Sequence, residues 1–327
     1  MLIVSKTPLR LTLGGGGTDL PSYYSKFGGF VVTSSLNKYI YIVVKERFEE
    51  SVRVSYSITE VVNNINNIKH PLVREVLKFL GLEKHLEIVS IADVPSKAGL
   101  GSSGSFTVGL LHALHTFKGD NPSQHRLAEE ACHIEMDVLK EPCGKQDQYI
   151  ASFGGFRCLH IDKNGKVEVE DLKISEETVR ELENNLLFFY TGIVRDSFEV
   201  LMEQQKRIQT DEEALEAMHK IKEIGFKAKK ALESGDLAEW ARLQHEHWMA
   251  KRGTANSMSK SVIDSWYKLG IEKGSLGGKL MGAGGGGFLM FYVENNKSEI
   301  RKAMAKEGLR EVKFGFSSEG SKIIINL

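Results

Sequence analysis

Residues 95–105 of the chain are Pro95-Ser96-Lys97-Ala98-Gly99-Leu100-Gly101-Ser102-Ser103-Gly104-Ser105. The residues His85–Ala92 before this segment predict a strand, and the apolar stretch Phe106–Phe117 after it predicts a mostly buried helix. Glycines let a backbone approach a phosphate closely, and the first turn of a helix offers unpaired N–H groups at the positive end of its dipole. The serine hydroxyls can add donors or a metal ligand. The segment therefore predicts a phosphate-binding loop, and the alternative is a plain Gly/Ser turn with serine helix caps.

Two other nucleotide-binding patterns fit the segment less well. Gly99, Gly101 and Gly104 match the Gly-x-Gly-x-x-Gly fingerprint of dinucleotide-binding folds. That fingerprint requires a second strand ending in an acidic residue about 20 residues further on, whereas Asp120 lies between two predicted helices. A Walker A loop, Gly-x-x-x-x-Gly-Lys-Ser/Thr, is absent from the sequence. A Rossmann fold and a P-loop nucleotidase are therefore both disfavoured.

The N-terminal half of the chain predicts a mixture of strands and helices. Strand patterns cover residues 2–13, 29–35 and 38–45. Apolar residues spaced four, three and four positions apart predict a helix over Ser123–Leu139. A glycine-containing turn is expected at 143–148.

The second half of the chain has a different texture. A hairpin is expected within residues 155–172, around an Asn-Gly pair. Long helical patterns follow, the first over about 196–231, and a second glycine-rich loop spans 282–287. We expect an α+β protein of two domains, residues 1–172 and 173–327, with a cleft between them.

Bulk composition argues against several classes of partner. The 327 residues include 43 Lys and Arg against 43 Asp and Glu, so the formal net charge is zero. Nucleic acids and anionic membranes both require a positive surface excess, so we expect neither partner. Three cysteines without a Cys-x-x-Cys pair predict a reduced protein rather than a disulfide scaffold or zinc site. The chain shows no signal-peptide pattern and no apolar run near the roughly 20 residues of a membrane span, so we expect a cytoplasmic location.

Two further glycine-rich segments accompany the first one. Near the start is Pro8-Leu-Arg10-Leu-Thr-Leu-Gly-Gly-Gly16-Gly17-Thr18-Asp19, and near the end is Gly277-Gly278-Lys279-Leu-Met-Gly282-Ala-Gly284-Gly285-Gly286-Gly287-Phe288. Together with Pro95–Ser103, they resemble, in the right order, the three motifs of the GHMP kinases (galactokinase, homoserine, mevalonate and phosphomevalonate kinases). The resemblance spans almost the whole chain. It implies an N-terminal domain like ribosomal protein S5 domain 2 and a ferredoxin-like C-terminal domain.

The resemblance also implies ATP and Mg²⁺ as cofactors. The ATP-binding residues would be Pro95, Gly99, Leu100, Gly101, Ser102, Ser103, Gly104 and Ser105. Mg²⁺ would be held by Ser103 and by Glu135, which lies on the predicted helix 123–139. Oxygen ligands and few protein contacts suit this ion, which keeps waters and phosphate oxygens around it.

Catalytic and acceptor-binding roles follow from the same resemblance. Asp147, in Gly144-Lys-Gln-Asp147-Gln148, would accept the acceptor's proton or orient its hydroxyl. Arg10 would stabilise charge on the transferring phosphoryl group. The substrate-binding residues would be Gly16, Gly17, Thr18, Asp19, Gly284, Gly285, Gly286 and Arg195.

The residues of the first motif also narrow the range of sugars that could be the acceptor. Galactokinases have a bulkier Gly-Glu-His before the Thr-Asp pair, whereas this chain has only glycines there. The four-glycine form, with Gly144–Tyr149 and Tyr190–Ser197, is most similar to the D-glycero-D-manno-heptose 7-phosphate kinases. These phosphorylate the anomeric hydroxyl to give the 1,7-bisphosphate, on the way to GDP-heptose for bacterial surface polysaccharide. The L-fucokinases share the motifs less closely.

A 7-phosphate needs a basic pocket. The candidate donors are Lys38, Arg195, Lys251 and Arg252, and we prefer Arg195 because it follows the predicted strand Leu186–Tyr190 and a Thr-Gly turn. Spacing alone does not show which of them faces the cleft.

Two other functions fit the same scaffold. A non-catalytic sugar or ATP sensor would not need to keep the acid at Asp147, the metal-binding Glu135 or the loop, yet all three are present. A diphosphate decarboxylase would need a pocket for an isoprenoid acid, against which the sugar-kinase pair Thr18-Asp19 argues. The sequence therefore favours a sugar kinase.

Overall fold

The computed structural model describes residues 1–194 and 197–327 of the chain, so Arg195 lies outside the described residues. Within them, the strands lie at Leu2–Gly14 (β1), Gly29–Glu46 (β2), Val52–Ser55 (β3), Thr59–Val62 (β4), Leu86–Ala92 (β5), Phe156–Ile161 (β6), Val167–Asp171 (β7), Leu186–Tyr190 (β8), Gly277–Leu280 (β9), Phe288–Tyr292 (β10), Arg310–Glu311 (β11) and Lys322–Asn326 (β12). The α-helices lie at Pro21–Phe27 (α1), Pro71–Leu80 (α2), Ser102–Phe117 (α3), Gln124–Cys132 (α4), Gln146–Phe153 (α5), Glu176–Asn185 (α6), Ser197–Thr210 (α7), Glu212–Ser234 (α8), Leu237–Arg252 (α9), Ser261–Glu272 (α10) and Lys297–Lys306 (α11).

The larger sheet is built on β1 and β2. Its strand order is β12-β1-β2-β5-β3-β4, and β6 and β7 extend it beside the first half of β2. The register of β1 and β2 shifts between Pro8 and Arg10, at a proline that has no N–H to donate to the ladder. The backbone N–H of Arg10 instead bonds the Leu100 carbonyl at 3.0 Å. The irregularity thus ties β1 to the glycine loop at 95–105.

The prediction of two separate strands over 29–35 and 38–45 is wrong, because β2 is one strand of 18 residues. The residues that join the two runs contain neither glycine nor proline. The N–H of Asn37 bonds the Gly315 carbonyl at 2.9 Å, and Leu36 is fully buried. A segment near the C-terminus therefore holds the centre of the strand in place, which no local pattern indicates.

The smaller sheet is antiparallel, with the order β11-β8-β10-β9. The edge strand β9 is half glycine, and this composition disfavours a strand when the segment is considered alone. The chain then returns to the larger sheet, where β12 pairs antiparallel with β1. The division into two domains, 1–172 and 173–327, stays a prediction. Strand β12, from the second of these ranges, pairs with the sheet formed by the first.

Two predictions for helices also need correction. The long helical pattern over 196–231 is two helices, α7 and α8, because the Asp211 carboxylate caps α8 by accepting from the N–H groups of Glu213 and Ala214. The turn expected at 143–148 runs into a helix, because its last three residues are the first turn of α5. There the Asp19 carboxylate, 127 residues away, accepts the N–H of Gln146 at 3.0 Å and satisfies one first-turn donor.

The expected helix over 123–139 is present as α4, and it continues as a π-helix over His133–Val138. Helix α3 packs against the larger sheet, where the Ser5 hydroxyl donates to the Gly109 carbonyl at 2.8 Å. None of the helices in the ranges 1–194 and 197–327 combines the length and apolarity that crossing a membrane requires.

Candidate active site

The glycine loop at 95–105 forms one wall of a cavity of about 570 Å³. Gly99 and Gly101 have φ values of 79° and 74°, which L side chains rarely adopt. A Cβ on Gly101 would lie 2.8 Å from Cγ of Arg10, so space as well as conformation requires glycine there. Helix α3 begins at Ser102, and its first turn opens onto the cavity. Unpaired N–H groups at the positive end of a buried helix suit an anion such as a phosphate.

The loop's predicted ATP-binding residues divide into two sets. The cavity wall, as far as the structure describes it, includes Gly99, Gly101, Ser102 and Ser103 but not Pro95, Leu100, Gly104 and Ser105. The Ser105 hydroxyl is fully buried and donates to the Pro8 carbonyl at 2.7 Å. Ser105 therefore anchors α3 to β1 and offers no donor to a ligand, which corrects its predicted role.

The two predicted catalytic residues are directly paired. Arg10 Nε donates to Asp147 Oδ1 at 2.7 Å, and Arg10 Nη2 donates to Asp147 Oδ2 at 3.1 Å. The third donor, Nη1, bonds the Gly99 carbonyl at 2.6 Å. Such a bidentate pair fixes the orientation of the guanidinium plane relative to the carboxylate plane. Asp147 stays open to the cavity, with 27% of its side chain exposed, while Arg10 is held behind it with 8% exposed.

The predicted metal ligands are also brought together. The Ser103 hydroxyl donates to Glu135 Oε2 at 3.0 Å, where the π-helical turn 133–138 meets the start of α3. Burial raises the pKa of Glu135 to about 7, opposed by hydrogen bonds from Thr107 and Ser103. The other oxygen, Oε1, is buried without a hydrogen-bond partner among the described residues. A buried carboxylate oxygen facing the cavity without a donor fits a cation.

The metal would need further ligands from outside the protein. No group of three or more His, Cys, Asp or Glu side chains that could hold a metal ion occurs within the described ranges. Ser103 and Glu135 alone suit Mg²⁺, which takes few protein ligands and completes its shell with waters and phosphate oxygens. The donor set therefore fits Mg²⁺ bound together with a nucleotide.

The first motif contributes Gly16, Gly17 and Asp19 to the cavity wall. The Asp19 carboxylate accepts from the N–H of Gly17 at 3.1 Å and from the N–H of Gln146 at 3.0 Å. Burial raises the pKa of Asp19, and the bond from Gln146 opposes this shift. One residue of the motif does not serve as predicted. The Thr18 hydroxyl is buried between the carbonyls of Gly15 and Phe30, both at 2.8 Å, so it stabilises the turn and does not face an acceptor.

The third motif forms the part of the cavity wall next to the glycine loop at 95–105. Gly284 and Gly286 line it, whereas the N–H of Gly285 bonds the Met258 carbonyl at 2.8 Å behind the described wall. A Cβ on Gly282 would lie 2.4 Å from Cα of Gly99. The two glycine loops are therefore in backbone contact, which side chains would prevent.

Helix α9 and strand β9 contribute three basic side chains to the cavity wall. Lys251, one of the four predicted phosphate donors, lines it, and so do His247 and Lys279, which sequence reasoning did not assign. Lys251 donates to the Gly282 carbonyl. The spacing of His247 and Lys251 on α9 was a signal available in the sequence, since positions i and i+4 share a helix face.

The other candidate donors lie elsewhere. Arg252 points to the outer side of α9, where its Nη2 pairs with Asp264 at 3.0 Å. Lys38 lies on β2 at an intermediate level of exposure and is not part of the described cavity wall. Neither residue is part of the described cavity wall. Arg195 stays a prediction.

Comparison with known proteins places this geometry in a family. The family model for the GHMP kinases N terminal domain matches residues 66–155, and the family model for the GHMP kinases C terminal domain matches residues 228–310. The D-glycero-alpha-D-manno-heptose 7-phosphate kinase of Campylobacter jejuni is 32% identical over 98% of this chain and 98% of its own. The chain therefore belongs to the GHMP kinases, and the predicted α+β fold with GHMP kinase N- and C-terminal domains is confirmed.

Two further similarities concern sugar kinases. A solved structure described as a D-glycero-D-manno-heptose 1-phosphate kinase from Bacteroides thetaiotaomicron superposes with a TM-score of 0.82, at 27% identity and 99% coverage of both chains. The bifunctional fucokinase/GDP-fucose pyrophosphorylase of Arabidopsis thaliana is 23% identical over 94% of this chain and 31% of its own length. The family and these similarities support an ATP-dependent sugar kinase.

Proposed function

We propose that this protein transfers the γ-phosphoryl group of ATP, with Mg²⁺, to the anomeric hydroxyl of D-glycero-D-manno-heptose 7-phosphate. The product would be the 1,7-bisphosphate, an intermediate towards GDP-heptose for surface polysaccharide. The observation that carries the proposal is the Arg10–Asp147 pair, which lies beside the phosphate loop at Gly99 and opens into a cavity with Asp19. The likeness to the Campylobacter jejuni enzyme supports the acceptor.

In the proposed reaction, the acceptor hydroxyl lies against Asp147. The carboxylate accepts or orients the hydroxyl proton, and the bidentate contact with Arg10 keeps both oxygens in position. The N–H groups that begin α3 and the charge of Arg10 stabilise the negative charge on the transferring group. Ser103 and Glu135 would hold Mg²⁺, which would supply positive charge that neutralises the phosphates of the nucleotide.

The wall formed by the first motif suits a sugar larger than a hexose. Gly16 and Gly17 add no side chains to the cavity, and the Asp19 carboxylate can accept from sugar hydroxyls while two backbone N–H groups hold it. We propose the cytoplasm as the location, because the three cysteines are free, as in a reducing compartment, and ATP is available there.

An L-fucokinase-like or other sugar 1-kinase is the main alternative. It would use the same Asp147 and the same loop, and would differ only in how the far end of the acceptor is bound. A non-catalytic sensor is disfavoured, since a sensor has no use for the paired Arg10–Asp147 and Ser103–Glu135 contacts.

A panel of acceptors tests the proposal. Purified protein would be given ATP, Mg²⁺ and, separately, D-glycero-D-manno-heptose 7-phosphate, the corresponding 1-phosphate, unphosphorylated heptose, L-fucose, galactose and mannose, and ADP release would be followed. We expect the highest kcat/KM with the 7-phosphate and ³¹P signals of an anomeric phosphate in the product. Higher kcat/KM with fucose would favour the alternative sugar 1-kinase, and turnover of no sugar would favour the sensor.

A further inference from the structure

The cavity contains nitrogen atoms that have no partner of their own. Nζ of Lys279 and both ring nitrogens of His247 are buried without a hydrogen-bond partner among the described residues. Both side chains are at most 3% exposed and line the cavity. The Nζ of Lys251, also a buried residue, donates a hydrogen bond only to the Gly282 carbonyl among the described residues. Buried polar groups are normally satisfied, so this cluster of His247, Lys251 and Lys279 indicates a place for a ligand.

The fold brings these three residues together from two elements. On β9, Leu280 packs into the core beneath the smaller sheet, so Lys279 points to the opposite face. Helix α9 packs against that face, and it presents His247 and Lys251 four residues apart. The Gly277 position permits close packing, since a Cβ there would lie 1.8 Å from the Ala241 carbonyl oxygen of α9.

No carboxylate of the described residues forms an ion pair with Lys251 or Lys279, although the charges of Asp19 and Asp147 act to raise the pKa of Lys251. Burial lowers the pKa of Lys251 to about 8, and burial together with the neighbouring Lys251 and Arg10 holds the pKa of Lys279 well below its usual range. Burial and the two lysines lower the pKa of His247 in the same way. An anion bound among these groups would offset both the burial and the mutual repulsion.

The helix that carries His247 and Lys251 is tied to the first motif. Gln244, one turn before His247 on α9, donates to the Leu13 carbonyl at 2.7 Å, directly before the glycines of the first motif. The N–H groups of α3 and the loop at Gly99–Ser103 offer the nucleotide phosphates a site of their own. A phosphoryl group carried by the acceptor has no other basic site in the described cavity wall apart from Arg10 and Lys97 near the phosphate loop.

We propose that His247, Lys251 and Lys279 bind the phosphate monoester of the acceptor, so that the protein selects phosphorylated sugars over free ones. This inference rests on the proposed kinase function and identifies the part of its site that recognises the phosphate. Two lysines supply charge-assisted hydrogen bonds to a dianion, and the imidazole supplies a further N–H. A phosphate of the nucleotide offers the same chemistry, so the test must separate the two sources.

Kinetics of Lys279→Met make the first test, because methionine keeps the length and burial of the side chain without its charge. We expect KM for the sugar phosphate to rise about 30-fold, while KM for ATP and kcat/KM for the unphosphorylated sugar change by less than about threefold. Lys268→Met is the matched control, since Lys268 is 78% exposed on α10. A rise in KM for ATP without loss of selectivity for the phosphorylated sugar would assign the cluster to the nucleotide and overturn the proposal.

A binding measurement keeps the inference testable if no sugar is turned over. Inorganic phosphate would be titrated calorimetrically into protein saturated with a non-hydrolysable ATP analogue and Mg²⁺, so that the nucleotide site is filled. We expect the wild type and Lys268→Met to bind phosphate equally, and Lys279→Met to bind at least about tenfold more weakly. Absence of phosphate binding by the wild type, or equal binding by all three proteins, would refute the anion site whatever the acceptor is.

Discussion

Replacing Asp147 with asparagine tests the chemical step while keeping the shape of the site. The asparagine oxygen can still accept from Arg10 Nε, which lies 2.7 Å from Oδ1 in the wild type. Its amide nitrogen would face Arg10 Nη2, where the wild type has a 3.1 Å contact to Oδ2, so two donors would oppose each other. One charge-assisted hydrogen bond is lost, and Arg10 keeps its bond to the Gly99 carbonyl.

The magnitudes follow from this geometry. Loss of one hydrogen bond to a charged group costs about 1.5 kcal/mol of stability, the low end of the usual range, because 27% of the Asp147 side chain is exposed. The protein should therefore stay folded at 25 °C. Loss of the acid–base group should lower kcat by about 10²- to 10⁴-fold.

The assay combines steady-state kinetics with binding. ADP release would be measured with saturating sugar phosphate, and the affinity for a non-hydrolysable ATP analogue by calorimetry. Asp264→Asn is the control, because Asp264 also pairs with an arginine, at 3.0 Å, but on α10 away from the cavity. An Asp147→Asn variant that retains more than about a tenth of wild-type kcat would remove the carboxylate from the mechanism.

Three further predictions concern the walls of the same cavity. Between pH 4.5 and about 7 folded Glu135 keeps a proton that the unfolded chain has lost, because burial raises its pKa. Its contribution to stability thus falls as pH rises through that window; thermal unfolding should show Glu135→Gln more stable than wild type at pH 8, by up to about 3 kcal/mol, with little gain at pH 4.5. The apparent Mg²⁺ affinity should rise from pH 6 to pH 8 in the wild type but not in Glu135→Gln. A Glu135→Gln variant whose Mg²⁺ titration equals that of the wild type would exclude Glu135 as a ligand. Gly101→Ala should lower kcat at least about tenfold by displacing Arg10, whereas Gly119→Ala, with a similar φ of 78° but no atom within 4 Å of the added Cβ, should lose stability without a change in kcat. Lys279→Met should raise the thermal midpoint by about 2–4 °C through removal of a buried amine that lacks a partner, and calorimetric scanning that finds a lower midpoint would indicate that the amine is satisfied.

The parts of the site that sequence could predict are those whose chemistry is local. A glycine loop followed by an apolar run indicates a helix start that faces a ligand, and the structure places Ser102 and Ser103 there. The family motifs also predicted that Arg10 and Asp147 belong to one site, although 137 residues separate them. Residue type and motif order were enough to predict that these side chains lie in one site, because each belongs to a short motif that can be identified without knowing its distant partners.

The failures share a different physical cause, which is dependence on a distant partner. Thr18 and Ser105 carry hydroxyls suited to a ligand, yet backbone carbonyls of neighbouring elements bind both of them. The start of α5 depends on a carboxylate from the first motif. Lys279 was overlooked because its orientation follows from the pairing of β9 with β10, and β9 is half glycine and gives no strand signal. Sequence patterns report preferences of a segment, and each of these features was decided by contacts between segments.

The hydrogen bonds of Arg10 explain why the acid and the phosphate loop should act as one unit. A single guanidinium bonds both oxygens of Asp147 and the carbonyl of Gly99, and its own backbone N–H bonds Leu100. The loop therefore cannot shift without changing the direction of the carboxylate. Gly282 of the third motif touches Gly99 from above, and Lys251 holds the Gly282 carbonyl. A ligand that moves Lys251 would therefore also displace the loop and, through Arg10, the carboxylate of Asp147.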